Sequence, residues 1–224
     1  MLSHLEACGV DGLLCLGDTV GYGADPGPCL DRVRRAAVAV VQGNHDAGAV
    51  GLLDLDWFNR DARRAALWTA ERLDEGQRKY LSGLPLIAEI NGATLAHASP
   101  RAPEEWDYLI SARDGLEAFP FFTTRLCFVG HSHRPGVWIE GPAGFGFEPT
   151  LSRRELLPRH RYIVNVGSVG QPRDRDPRAA CAIWDTDAET VAIHRVPYDA
   201  RTAQLKIREA GLPSFLADRL AHGV

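Results

Sequence analysis

Short apolar runs alternate with helical patterns along the first part of the chain. Leu13-Leu14-Cys15-Leu16 reads as a strand, residues 27–35 as a helix and residues 38–42 as a second strand, the beginning of an α/β architecture. From Asn59 to Leu81 the pattern turns helical. Asp74 and Gln77 have capping-box spacing, so two helices meet there. Residues 86–90 and 93–98 are β-prone and flank Asn91-Gly92, a strong short hairpin signal. Further runs at 126–130, 137–140, 162–166, 181–184 and 191–196 predict strands, and residues 201–210 and 215–220 return to helix. Gly and Pro cluster between Gly130 and Pro158, which predicts loops and short strands inside one domain. Strands in both halves, with helices at both ends, predict two stacked sheets sandwiched by helices in a single domain over residues 1–224.

Composition narrows the class. Of 224 residues, 45% are hydrophobic and 24% charged, enough to bury one core. Lys plus Arg number 25 and Asp plus Glu 29, a net charge of −4 that argues against a general nucleic-acid or anionic-membrane surface. The longest apolar run, Ala36 to Val41, is far below the roughly 18 residues a bilayer span needs. No basic-then-apolar leader pattern opens the chain, and a soluble, cytoplasmic protein is expected. Five widely spaced cysteines, with no C-x-x-C pair, read as reduced core residues rather than as a disulfide framework or zinc clip.

Four segments place metal-ligand residue types at the ends of apolar strands, three of them beside glycine. They are Gly17-Asp18, Gly43-Asn44-His45-Asp46, His97 and Gly130-His131-Ser132-His133. Strand carboxyl ends are where α/β sheets bind ligands, so the four can converge on one site. A carboxylate, a neutral amide oxygen and imidazoles form a mixed oxygen and nitrogen set that suits Mn²⁺, Fe²⁺, Zn²⁺, Co²⁺ or Ni²⁺. Two such ions about 3.5–4 Å apart can hold a hydroxide and clamp a phosphoryl group, which makes phosphoester hydrolysis the first hypothesis.

These strings resemble the calcineurin-like metallophosphoesterases. The match is carried by residues 17–23 (Gly-Asp-Thr-Val-Gly-Tyr-Gly), residues 43–46, His97-Ala98-Ser99-Pro100, residues 130–133 and the stretch from Asn165 to Arg173, all in family order. The details are most similar to the small prokaryotic branch related to YfcE-type phosphodiesterases and, loosely, to diadenosine tetraphosphatases. The resemblance implies a four-layer α/β/β/α sandwich of two mixed sheets. It also implies a dinuclear centre, with Mn²⁺ the leading ion, acting on a small phosphorylated substrate through a metal-activated hydroxide. Asp18 would bridge the two ions, Asn44, His97 and His131 would complete one, and His133 would belong to the other. His45 would contact the scissile phosphate or protonate the leaving oxygen, and Asp46 would orient its imidazole. Arg101, Arg173 and Tyr22 are candidate substrate contacts, with Tyr22 alternatively only shaping its loop.

Family members open with a strand ending in Asp-x-His, and no Asp-x-His occurs in these 224 residues. His4 falls on a helical segment and is no substitute. The first strand of the fold is therefore expected to be missing, with Met1 an internal methionine taken as the start or the mark of a true truncation. Low occupancy is expected at the ion that His133 serves. A degenerate member that binds a ligand or partner without turnover is the alternative function. Trp57, Phe58 and Trp68 read as core or cap packing, while Phe119, Phe121 and Phe122 offer an apolar patch for a homodimer.

Overall fold

The computed structural model covers residues 1–224. Its elements in chain order are α1 (Leu2–Ala7), β1 (Leu13–Cys15), α2 (Pro26–Ala36), β2 (Ala37–Val40), α3 (Asn44–Ala49), α4 (Arg60–Ala70), α5 (Glu75–Ser82), β3 (Ile87–Ile90), β4 (Ala93–Ala96) and α6 (Ala112–Ala118). They continue with β5 (Leu126–Val129), β6 (Gly136–Gly141), β7 (Gly144–Glu148), β8 (Arg153–Glu155), β9 (Arg161–Asn165), β10 (Ala179–Asp185), β11 (Thr190–Val196), α7 (Ala200–Glu209) and α8 (Ser214–Asp218). No helix is long and apolar enough to cross a membrane.

Six strands form one mixed sheet in the order β3-β4-β5-β9-β6-β7, with β4, β5 and β9 mutually parallel at its centre. Nearly every residue of those three strands is buried, because a central parallel strand is covered on both faces and reads as a continuous apolar run. Alternation still sorts their side chains. Leu95, Leu126, Phe128, Tyr162 and Val164 point to one core, and Ala96, Cys127, Val129 and Ile163 to the other.

The first core packs the six-stranded sheet against a second strand layer, divided into a parallel pair β1-β2 and an antiparallel triplet β10-β11-β8. Leu14, Ala39 and Val41 come from the pair, and Ala182, Trp184, Val191 and Ile193 from the triplet. The second core packs the opposite face against α6 and the turn that follows it. Phe119 and Phe122 are buried there, so only Phe121 remains exposed and the expected three-phenylalanine patch does not form. Trp138 also fills this core, and Gly115 of α6 has no room for a Cβ because the indole lies against it.

Local signals explain the element ends. Asn91 (φ 50°) and Gly92 (φ 78°) take the two left-handed positions of the β3-β4 hairpin. Asp74 caps α5 through the Gln77 N–H, and the Gln77 side chain returns to the Asp74 N–H. The 130–158 stretch, expected as loops and short strands, contains β6, β7 and β8. All five cysteines are free, but only Cys127 is fully buried, and Cys8 and Cys29 are exposed rather than core residues.

Candidate metal centre

Parallel pairing brings the polar residues together. The β4, β5 and β9 strands lie side by side in one direction, so His97, the Gly130–His133 loop and the Asn165–Gly167 turn leave the sheet at one edge. The β1 and β2 strands are also parallel, and Gly17-Asp18 and Gly43-Asn44 follow their ends. The two loops pass back to back at their glycines. A methyl on Gly17 (φ +85°) would sit 2.6 Å from the Gly43 nitrogen, and one on Gly43 would overlap the Asp18 carboxylate. Three candidate ligands themselves hold left-handed backbone: Asp18 (φ 51°), His131 (φ 59°) and His133 (φ 60°). Each such non-glycine conformation costs on the order of 1–3 kcal/mol, and clusters of them occur where side chains must be aimed.

Hydrogen bonds complete the aiming. Asp18 Oδ1 accepts from the His45 N–H at 2.9 Å, in the first turn of α3, and Oδ2 lies 3.3 Å from His97 Nε2. His97 Nδ1–H donates to the Leu16 carbonyl at 2.6 Å, which fixes the tautomer and presents Nε2 to Asp18 and to His131 Nδ1, 3.1 Å away. One ligand atom from each of Asp18, His97 and His131 thus falls within 4.8 Å of the others. His133 lines the same cleft outside this triad, and its Nδ1–H donates to the Gln171 carbonyl at 2.6 Å. Asn165 secures the loop between the two histidines. Its Nδ2 donates to Gly130 O (2.6 Å) and Ser132 Oγ (2.9 Å), and its Oδ1 accepts from the Gly167 N–H (2.9 Å).

Burial alone would raise the Asp18 carboxyl, but the charges of His97 and His45 outweigh it and hold the group below the usual carboxylate range. Burial pushes His131 down to about 3, with His97 adding to the effect. It pushes His133 to about 3 as well, with Arg173 adding. Both imidazoles are therefore neutral, the form that binds metal. Asn44 lines the cleft with its Oδ1 buried and without a hydrogen-bond partner in the protein, an unmet acceptor of the kind that costs about 1–3 kcal/mol and that a cation would satisfy. An anionic carboxylate, an orphaned amide oxygen and imidazoles with fixed tautomers fit a borderline divalent cation.

The cleft holds about 90 Å³, room for ions, a few waters or a phosphoryl group rather than a whole metabolite. Tyr22, His45 and Arg173 line it. The His45 ring is wedged between Tyr22 (centroids 4.3 Å) and Phe58 (4.8 Å), and burial holds it below the usual imidazole range. Arg173 lies over the Tyr22 ring and is steadied by Gln171 Oε1.

Two expected roles change. The Asp46 carboxylate does not orient His45: it accepts from the Gly43 N–H (3.0 Å) and the Val20 N–H (3.2 Å), pinning the two ligand loops to each other. Burial and the Asp18 charge raise its pKa to about 7. Arg101 does not line the cleft, because Glu117 and Asp107 hold its guanidinium in ion pairs. The cleft also recruits residues whose sequence pattern carried no sign of it. Trp57 is 84% exposed at the rim, Phe58 forms a wall, and Tyr108 stacks on His131 with centroids 4.0 Å apart. Trp57 and Phe58 were read as packing groups. Tyr108 lies in the loop after His97, where no periodicity marks it.

Known proteins share this fold. Residues 1–189 match the calcineurin-like phosphoesterase superfamily domain. An uncharacterized protein of Methanocaldococcus jannaschii is 38% identical over 231 residues, covering 100% of this chain and 91% of that protein. The crystal structure of a metallophosphoesterase from Sphaerobacter thermophilus superposes with a TM-score of 0.86 at 43% identity, over 98% of this chain and 91% of that one. A hypothetical protein from Pyrococcus horikoshii shares the fold alone, at a TM-score of 0.77 and 19% identity over 100% and 90% of the two chains. The chain belongs to the calcineurin-like phosphoesterase superfamily, and its relatives point to a phosphoesterase hydrolase.

Proposed function

We propose that the protein hydrolyses a phosphodiester or a small phosphorylated metabolite, using divalent cations of the Mn²⁺ class held by Asp18, Asn44, His97, His131 and His133. The observation that carries this reading is the convergence of Asp18, His97 and His131 donors within 4.8 Å at the strand ends, in a cleft that also presents Asn44, His45 and Arg173. Bound cations would supply Lewis-acid stabilisation of phosphoryl charge and a nucleophile at neutral pH. The chain's own groups do the rest. Arg173 binds a phosphoryl oxygen, and its Gln171 partner limits the rotamers it loses on binding. The His45 imidazole, clamped between two aromatic rings, donates an N–H hydrogen bond to the leaving oxygen and steadies the charge that develops there. Trp57 and Tyr108 offer faces on which a planar leaving group stacks. Five free thiols suit a reducing, cytoplasmic setting.

The test is purified protein with Mn²⁺ against p-nitrophenyl phosphate, its bis ester and a panel of nucleotides, beside Asp18→Asn. Turnover that vanishes in the variant is the expected result. A second reading, ligand binding without turnover, draws on His133 standing outside the compact triad. Phosphate binding by calorimetry with no hydrolysis of any ester would favour it over catalysis.

A further inference from the structure

A second group of metal-binding side chains lies outside the cleft and shares no residue with it. The α1 helix places His4 and Cys8 four residues apart, so both project from one face. Facing them is His194 of β11. Its neighbour Ile193 packs into the main core, so strand alternation turns His194 to the opposite side, toward α1. His4 Nε2 lies 3.1 Å from His194 Nδ1 and 3.6 Å from Cys8 Sγ, and the three donor atoms all fall within 4.8 Å of one another.

We propose that His4, Cys8 and His194 form a second metal site, for a thiophilic divalent cation of the zinc class, that ties α1 to the β10-β11-β8 sheet with solvent in the fourth position. Geometry supports it. A tetrahedral zinc ion with its usual bond lengths separates two nitrogen ligands by about 3.3 Å and a nitrogen from a sulfur ligand by about 3.6 Å. The observed separations are 3.1 and 3.6 Å.

Hydrogen bonding alone accounts for the cluster poorly. His4 Nε2 has one in-plane site, which either donates a proton or accepts one. Donation to His194 leaves no lone pair for the Cys8 thiol, and acceptance from Cys8 leaves nothing to give His194. A cation among the three atoms satisfies all of them at once. Coordination by Cys8 releases its thiol proton to solvent.

Cobalt reads this site directly, because none of the donors assigned to the cleft is a sulfur atom. Tag-free full-length protein titrated with Co²⁺ should develop the near-ultraviolet thiolate-to-cobalt charge-transfer band. Asp18→Asn should retain the band, Cys8→Ser should lose it, and Zn²⁺ should displace it. On the unsubstituted protein, Zn²⁺ should slow alkylation of Cys8 at least 10-fold and leave Cys29, which is also exposed, unchanged. No band, a band of full intensity in Cys8→Ser, or Cys8 alkylation indifferent to Zn²⁺ would each overturn the proposal. The phosphoesterase reading stands or falls separately, since Cys8 takes no part in the cleft.

Discussion

The two clusters hold the same number of close donors within the same span, yet they are built by opposite means. Asp18, His97 and His131 are gathered from the ends of strands in both layers, aimed by left-handed backbone and fixed by hydrogen bonds from neighbouring loops. His4, Cys8 and His194 are half-exposed or exposed, and the two imidazoles have only each other and a thiol as close polar partners. Backbone strain and buried polar contacts are tolerated at the cleft because they hold ligand geometry at the position where chemistry needs it. A site whose role is to join a helix to a sheet can be assembled from surface rotamers, and it loses rotamer entropy when the ion arrives.

The largest effects should follow from dismantling the rigid cluster. Asp18→Asn is expected to lower kcat/KM about 10³-fold or more, because roughly 4 kcal/mol of metal-dependent stabilisation is lost, as steady-state kinetics at saturating Mn²⁺ would show. Gly43→Ala touches no ligand chemically, but its methyl displaces the Asp18 carboxylate. A loss of about 10²-fold with a folded circular-dichroism spectrum is expected, and full activity would show that the aiming does not matter.

Smaller changes sharpen the contrast. Asn165→Ala removes three hydrogen bonds from the loop that carries His131 and His133. It should destabilise the fold by about 2 kcal/mol in urea unfolding and weaken Mn²⁺ binding about 10-fold. Trp57→Ala should raise KM for nucleotide or nitrophenyl esters about 2–10-fold with kcat nearly unchanged, because a stacking face is worth about 0.5–1.5 kcal/mol. At the adaptable cluster, Cys8→Ser should leave phosphoesterase turnover within about twofold and diminish the Zn²⁺-dependent rise in Tm expected of the unsubstituted protein, the remainder coming from the cleft.

Much of this was legible in the residues. The apolar runs at 93–98, 126–130 and 162–166 read as strands because central parallel strands bury both faces. Asn91-Gly92 and Asp74-x-x-Gln77 work through contacts two or three residues away, so their local spacing is their mechanism. Three of the four ligand strings stood out because each has a glycine beside it for backbone reasons. The rim was harder to read. Trp57 and Tyr108 gain their roles from what lies across the cleft, and Asp46 from backbone N–H groups on two different loops.

The sequence by itself determined most of the elements, the family and the residue types available at the cleft, since all of these rest on short-range patterns. Tertiary structure decided which donors meet. Parallel pairing of β1 with β2, and of β4, β5 and β9, sends every ligand loop to one edge. The packing of α1 brings His4 against His194, 190 residues away. Cys8, one of five cysteines whose spacing and mostly apolar surroundings suggest core residues, becomes a candidate ligand only when a helix face and a strand face meet, a contact that no local pattern records.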